Sequence, residues 1–268
     1  HRITLLHLEE DDRCFSPLAD RFPVTLARVP HSFLNELPRK AQLVPEACLP
    51  LVAADLLTGE SRGIYLDADM LCVDDMLPLW NQPLNGLPLG AVTDMAIPTF
   101  ASPRGVGDWR ELGRPPDSPY FNAGMMLMDL ELWRSRNLRA MAVRHMCQHR
   151  VDFLHQEALN VVLHGQWVGL DPRWNVIAGL CHRRFSRKTV PGHAQATQAP
   201  ALIHFAGFFK PWRIHTQGPF GREYRRNLPS ALSPSLKERC WGFYDRVLRD
   251  GLYPFERWAW KRKTSWRP

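Results

Sequence analysis

Residues 64–69 read IYLDAD, an apolar run that ends in two aspartates separated by one residue. The run predicts a buried β-strand over residues 63–66, with Asp67 and Asp69 at its carboxyl end. Open α/β sheets bind ligands in the crevice beyond the carboxyl ends of their strands. Carboxylate oxygens there suit Mg²⁺ or Mn²⁺ bridging a diphosphate. The simpler alternative is a strand that ends in a solvated turn. We give that interpretation to the nearby Asp74 and Asp75, which follow the motif in the sequence.

Hydrophobic patterns on both sides of this stretch predict further strands and helices. The predicted strands lie at residues 3–8, 22–29, 89–93, 121–130 and 201–205. The predicted helices lie at 45–57, 129–148 and 155–163, and the predicted loops at 97–119 and 181–199. Strands that alternate with helices indicate the α/β fold class.

Composition indicates an ordinary globular protein with a basic surface. Of the 268 residues, 45% are apolar and 23% are charged, which excludes disordered, collagen-like and coiled-coil chains. The net charge of +7 favours anionic partners: nucleic acid, anionic lipid or a phosphorylated small molecule.

Six cysteines without a CxxC pair predict reduced thiols in a cytosolic protein. No apolar run approaches the ~18 residues of a membrane span, and the opening residues do not resemble a signal peptide.

Three further motifs carry polar side chains. Residues 120–124 read YFNAG, in which Asn122 offers a donor and an acceptor to hydroxyl groups. Residues 155–160 read HQEALN, a helix start with polar side chains. Residues 204–212 read HFAGFFKPW, where His204 can complete a metal site and Lys210 can hold phosphate. Taken singly, each motif is explained more simply by core packing or a solvated side chain.

Together and in this order, the four motifs resemble the family 8 retaining glycosyltransferases. That family includes glycogenin and bacterial lipopolysaccharide galactosyl- and glucosyltransferases, and the resemblance runs over residues 45–212. It implies a GT-A fold, which is a Rossmann-like mixed sheet flanked by helices. It also implies a UDP-sugar donor, Mn²⁺ or Mg²⁺ as cofactor, and retention of anomeric configuration.

The resemblance also assigns roles by position. Asp67, Asp69 and His204 would bind the metal, with Asp69 also acting in catalysis. Gln156 would lie near the anomeric carbon and stabilise positive charge on the sugar through its amide oxygen. A metal and a lysine would neutralise the departing diphosphate. The remaining candidate donor-binding residues are Asn122, Ala123, Gly207, Lys210, His155 and Asp94.

The sequence departs from the family pattern in three places. An arginine that usually contacts the donor is absent near Cys48. The helix motif, usually Asp-Gln-Asp, begins with His155, so we expect His155 to influence the choice of donor sugar. The strand at 3–8 resembles the family's second strand, so we expect the first nucleotide-binding strand–helix unit to be missing.

We expect a catalytic domain over residues 1–230 and a small helical, basic and aromatic extension over 231–268. Residues 257–268 contain five basic residues and three tryptophans. Tryptophan favours the headgroup layer, and basic side chains favour anionic lipid. We therefore expect peripheral association with an anionic membrane, on the cytoplasmic side of the inner membrane, near a glycan or glycolipid acceptor. The alternative is a tail whose tryptophans pack on the domain.

Other functions remain open at this point. Haloacid-dehalogenase-type phosphatases also carry Asp-x-Asp at a strand end, but they need Thr or Val where this chain has Leu71. A basic module for nucleic acid or lipid would show salt-dependent binding and leaves the ordered motifs unexplained. We therefore expect no nucleic-acid partner. A weakened or inactive transferase homologue fits the departures from the family pattern better.

Overall fold

The computed structural model describes residues 2–8, 15–39, 44–149, 153–181, 192–207, 210–211 and 220–228. The strands in these ranges are β1 (Ile3–His7), β2 (Val24–Arg28), β3 (Arg62–Leu66), β4 (Met70–Cys72), β5 (Leu89–Thr93), β6 (Phe121–Asp129), β7 (Trp167–Gly169), β8 (Val176–Ile177) and β9 (Leu202–His204). The α-helices are α1 (Ser16–Ala19), α2 (His31–Glu36), α3 (Ala53–Leu56), α4 (Leu77–Trp80), α5 (Leu130–Ser135), α6 (Leu138–Gln148), α7 (Leu154–Val162), α8 (His193–Gln198) and α9 (Gly221–Asn227). Short 3-10 helices cover Pro45–Leu51, Pro172–Trp174 and Ala178–Cys181.

The strands form three sheets. The largest has the order β3-β6-β5-β7, in which β6 is antiparallel to both β3 and β5, and β7 is parallel to β5. A three-stranded sheet has the order β4-β9-β8, and β1 and β2 form a parallel pair. The predicted α/β class with a mixed sheet is therefore confirmed.

Strand β6 is the centre of the fold because both of its faces are buried. Successive side chains of a strand point to opposite faces, and here they enter two different cores. Met126 and Met128 pack with the helices in the first core, whereas Met125 and Leu127 pack in the second. This explains why the strand reads as an almost continuous apolar run rather than an alternating one.

The side chain of Arg134 on α5 holds the end of α3. It donates hydrogen bonds to the carbonyl oxygens of Ala54 (2.9 Å), Leu57 (3.2 Å) and Glu60 (2.9 Å). The last carbonyl groups of a helix have no partner within the helix. The neighbouring Trp133 is buried in the first core. The Trp-Arg pair that follows β6 is thus part of the scaffold.

Two predicted helices differ from the structure. The single helix predicted over residues 45–57 is a 3-10 helix followed by α3, because Pro50 inside it has no N–H and its ring clashes with the preceding turn. The single helix predicted over residues 129–148 is divided into α5 and α6. Between them Asn137 has φ 53°, a left-handed conformation that asparagine tolerates better than most residues.

The two predicted loops have different outcomes. Residues 97–119 contain no helix or strand beyond one isolated bridge, as predicted, and they pack around a small core that includes Phe100 and Val106. The prediction of a loop over residues 181–199 is wrong for its last part, because residues 193–198 form α8. Residues 182–191, Trp212 and the extension at 231–268 lie outside the described residues. No helix in the described ranges is long and apolar enough to cross a membrane.

Replacing Arg134 with alanine is expected to lower the free energy of unfolding by ~1.5–3 kcal/mol, because three backbone carbonyl groups lose a charged donor. Arg136 is a matched control on the same segment, since it is exposed and its guanidinium bonds only the Gln166 side chain among the described contacts. Arg136→Ala should change stability by less than ~0.5 kcal/mol. Urea denaturation of both variants measures the difference, and equal losses would contradict this role for Arg134.

Candidate active site

The antiparallel course of β6 brings three separate motifs together. The amino end of β6 lies beside the carboxyl end of β3, and the Asp67 N–H donates to the Gly124 carbonyl oxygen at 2.8 Å. Strand β4, which follows Asp69, pairs with β9 so that Met70 lies opposite His204. The Asp-x-Asp segment, the Asn-Ala-Gly segment and His204 consequently share one corner of the molecule.

Asp67, Asp69 and His204 converge in a way that suits a divalent cation. His204 Nε2 lies 3.5 Å from Asp67 Oδ2 and 3.2 Å from Asp69 Oδ1. One ligand atom from each residue lies within 4.8 Å of the others. Asp69 Oδ1 is buried beside His204 Nε2, and a cation between these two atoms would be a partner to both. Two carboxylates and one imidazole form a donor set that Mn²⁺ accepts.

The charges in this cluster balance one another. Burial alone would lower the pKa of His204, but the two facing carboxylates raise it to about 9. Burial would raise the pKa of Asp69, yet contacts with His204 and Lys210 lower it to about 2. The Lys210 ammonium contacts Asp69 Oδ2 and donates to the Phe205 carbonyl oxygen at 3.2 Å. Lys210 therefore lies beside the cluster.

Two residues next to Asp67 shape the cluster. A Cβ at Gly124 would lie 2.3 Å from His204 Cε1 and 2.9 Å from Asp67 Oδ2, so only glycine leaves room for these side chains. Tyr65 donates its hydroxyl hydrogen to Asp67 Oδ1 at 2.8 Å. Tyr65 is not among the site residues predicted from the sequence, although residues two apart on a strand share one face.

Asp94, Asn122 and Gln156 form a second polar group beside the cluster. Asp94 Oδ2 accepts from Asn122 Nδ2 (2.8 Å) and Gln156 Nε2 (3.2 Å), while Oδ1 accepts from the backbone N–H groups of Ala96 and Ile97. A carboxylate has about four acceptor positions. A sugar hydroxyl would therefore have to displace one of these donors to reach Asp94.

The orientation of Gln156 follows from two contacts. Its Oε1 accepts from the Ala123 N–H at 2.9 Å, and its Nε2 donates to Asp94. Helix α7, which carries Gln156, is held against β6 by Asn160, whose side chain bonds both the N–H and the carbonyl oxygen of Phe121. The backbone amide of Ala123, which the sequence predicts at the donor site, thus also positions Gln156.

The other predicted site residues lie nearby with different surroundings. His155 is half-buried, and its Nδ1 has no hydrogen-bond partner within the described part of the chain. Burial lowers the pKa of His155 to about 4, opposed by the charge of Asp67. Gly207 follows β9 at φ 77°, a conformation that favours glycine. Cys48 is completely buried, and burial raises the pKa of its thiol to about 12.

Asn175 is a buried residue of the site that the sequence analysis missed. Its Oδ1 lies 3.0 Å from His204 Nδ1, and its Nδ2 lies 2.9 Å from Asn122 Oδ1. It follows the 3-10 helix Pro172–Trp174, in a segment for which no polar motif stood out. Asp74 and Asp75, by contrast, are exposed surface residues as predicted.

Comparison with known proteins identifies relatives by sequence. The family model "Glycosyl transferase family 8" matches residues 24–216. General stress protein A of Bacillus subtilis (strain 168) is 29% identical over 211 residues, covering 75% of this chain and 71% of that protein. The lipopolysaccharide 1,2-glucosyltransferase of Escherichia coli (strain K12) is 29% identical over 167 residues, covering 61% of this chain and 48% of that protein.

Solved structures share the fold at lower identity. The galactosyltransferase LgtC, in complex with donor and acceptor sugar analogues, matches with a TM-score of 0.67 and 19% identity, over 86% of this chain and 87% of that chain. The bifunctional glycosyltransferase WbbM in its apo form matches with a TM-score of 0.65 and 21% identity, over 84% of this chain and 45% of that chain. The family match and the shared architecture agree: the chain belongs to glycosyltransferase family 8 and has a GT-A fold.

Proposed function

We propose that this glycosyltransferase is a metal-dependent, retaining enzyme that transfers a hexose from a UDP-sugar to a surface glycan of the lipopolysaccharide type. The observation that carries the proposal is the convergence of Asp67, Asp69 and His204, to which Gln156 is joined by a series of hydrogen bonds through Asp94, Asn122 and Asn175. Similarity to a lipopolysaccharide 1,2-glucosyltransferase supports the acceptor class. Membership of a glycosyltransferase family favours this function over the phosphatase alternative.

Asp67, Asp69 and His204 would hold Mn²⁺ or Mg²⁺, and the cation would supply positive charge where the diphosphate departs. Lys210 is already placed beside Asp69, so its ammonium group can contact a phosphate oxygen of the donor. Gly207 has a φ of 77°, a conformation that favours glycine, and it would contact the diphosphate together with Lys210. These residues stabilise charge on the leaving group, which is the main requirement of glycosyl transfer.

Gln156 would stabilise the opposite charge, the positive charge that develops on the sugar. Its amide oxygen accepts one hydrogen bond, from the Ala123 N–H, and retains a second lone pair. A neutral amide oxygen can stabilise a cationic anomeric centre without forming a durable bond. The acceptor hydroxyl would attack from the side of the leaving group, and the departing phosphate would take its proton, so configuration is retained.

A second candidate function is a catalytically weakened homologue that binds a nucleotide-sugar. Two observations favour it: Cys48 is buried where the family usually has a donor-contacting arginine, and His155 replaces an acidic residue. Incubation with UDP-glucose, UDP-galactose and UDP-N-acetylglucosamine in the presence of Mn²⁺ separates the two functions. Binding without UDP release or transfer would support the weakened homologue.

Replacing Asp69 with asparagine is expected to reduce Mn²⁺-dependent UDP release by more than ~100-fold, because loss of an outer partner of a metal ligand alone costs ~10–100-fold. Asp75→Asn is the matched control, since Asp75 is exposed and its Oδ1 accepts only from the Leu77 N–H among the described contacts. Both variants should remain folded at the assay temperature, which circular dichroism checks. Unchanged Mn²⁺-dependent turnover in Asp69→Asn would refute the metal site.

Replacing His155 with aspartate is expected to change the relative rates with different UDP-sugars. A carboxylate would restore a charged acceptor for a sugar hydroxyl, and hydrogen bonds to charged groups contribute ~1.5–3 kcal/mol. The measurement is kcat/KM for the three donors with parent and variant, with thermal unfolding as a check on folding. If the ratios among donors stay the same, His155 does not contact the sugar.

We also propose that residues 257–268 associate with a membrane. This segment lies outside the described residues. Each basic residue near an anionic leaflet contributes on the order of 1 kcal/mol. The full chain should therefore co-sediment with anionic vesicles, less with neutral ones, and a variant without residues 257–268 should lose most of the difference. Equal binding of both proteins to anionic vesicles would instead locate the contact elsewhere, and we would then abandon the tail as the anchor.

A further inference from the structure

The polar side chains between Gln156 and His204 form one continuous series of hydrogen bonds. Gln156 Nε2 contacts Asp94 at 3.2 Å, Asp94 contacts Asn122 at 2.8 Å, Asn122 contacts Asn175 at 2.9 Å, and Asn175 contacts His204 at 3.0 Å. The last four residues are all buried. An unpaired polar atom at any of these positions would be costly, so each donor must face an acceptor.

Chemistry determines the direction of this series from Asp94 onward. An ionised carboxylate only accepts hydrogen bonds, so the Asn122 atom that faces Asp94 Oδ2 must be the amide nitrogen. The backbone gives a second, independent constraint. The Gly124 N–H lies 3.0 Å from the other Asn122 side-chain atom, which must therefore be the oxygen.

The orientation of Asn122 then determines that of Asn175. The Asn175 atom that faces Asn122 Oδ1 must be its amide nitrogen, because two oxygens would repel. Asn175 therefore presents its oxygen to His204 Nδ1, and Nδ1 must carry a hydrogen. The other ring nitrogen, Nε2, faces Asp67 and Asp69, and it is the nitrogen whose hydrogen a bound cation would displace to take up the lone pair.

We propose that Asn175 is a positioning residue that holds His204 in the tautomer and orientation needed to bind the divalent cation. This inference rests on the metal dependence in the proposed function. Asn175 is suited to the task because it is 1% exposed and immediately precedes β8, which pairs with β9 in the register Ile177–His204. Histidines that bind metals commonly donate their second N–H to such an outer acceptor.

The experiment measures Mn²⁺ affinity of the full chain without nucleotide, from the electron paramagnetic resonance signal of free Mn²⁺. Asn175→Ala removes the acceptor and should weaken Mn²⁺ binding by ~10–100-fold. Asn175→Asp retains an acceptor for the His204 Nδ1–H and should keep the affinity within about threefold of the parent, although its second oxygen opposes Asn122. Rescue by aspartate is the result that a merely structural role would not produce.

Ser118→Ala is the matched control. Ser118 is also buried and its Oγ lies 2.9 Å from His164 Nε2, so it is a buried partner of a histidine outside the metal cluster. This variant should lower the melting temperature and leave Mn²⁺ affinity within about threefold of the parent. If Asn175→Ala and Ser118→Ala behave alike toward Mn²⁺, Asn175 has no positioning role and the inference is overturned.

A measurement on the parent protein avoids dependence on how well the variants fold. With Zn²⁺ as a diamagnetic probe, ¹⁵N-resolved spectra should show His204 with a hydrogen on Nδ1 and metal on Nε2. The opposite assignment would overturn the inference while leaving the proposed function intact. If the parent binds neither Mn²⁺ nor Zn²⁺ and its UDP release is independent of metal, the proposed function itself fails and the inference fails with it.

Discussion

The buried carboxylate of Asp94 determines how the polar side chains around it are arranged. A charge in a low-dielectric interior is tolerated only when donors surround it. Asp94 recruits two donors from the backbone at Ala96 and Ile97 and two from side chains, Asn122 and Gln156. The start of the long loop at residues 97–119, strand β6 and helix α7 are thereby tied to one acceptor.

The reversal of β6 between β3 and β5 makes this arrangement possible. Two parallel strands, β3 and β5, end in acidic residues on the same side, and the antiparallel β6 begins there. The register places Asn122 opposite Val92, two residues before Asp94, and places Met125 opposite Leu66, just before Asp67. One short segment, residues 122–124, consequently touches both polar groups. This explains in physical terms why two aspartate-ended strands and the Asn-Ala-Gly motif occur together.

Much of the architecture is predictable from the sequence, because buried strands such as residues 89–93 are apolar runs that end in polar residues. The errors have local causes. Pro50 interrupts a helical pattern that its neighbours suggest, and the 2–3-residue strands β7 and β8 are too short to produce a period. Asn175 could not be predicted at all, since its importance comes from contacts with residues 29 and 53 positions away. Local patterns do not encode such partners.

The close approach of His204 to Gly124 has a consequence for the thermodynamics of ligand capture. The imidazole lies against Gly124, where there is no space for even a methyl group, and its Nδ1 contacts Asn175. The side chain of His204 therefore loses its rotational freedom when the protein folds and not when a ligand binds. Folding bears this entropic cost once. Because the ring is already immobilised when a cation binds, a larger share of the interaction energy contributes to affinity.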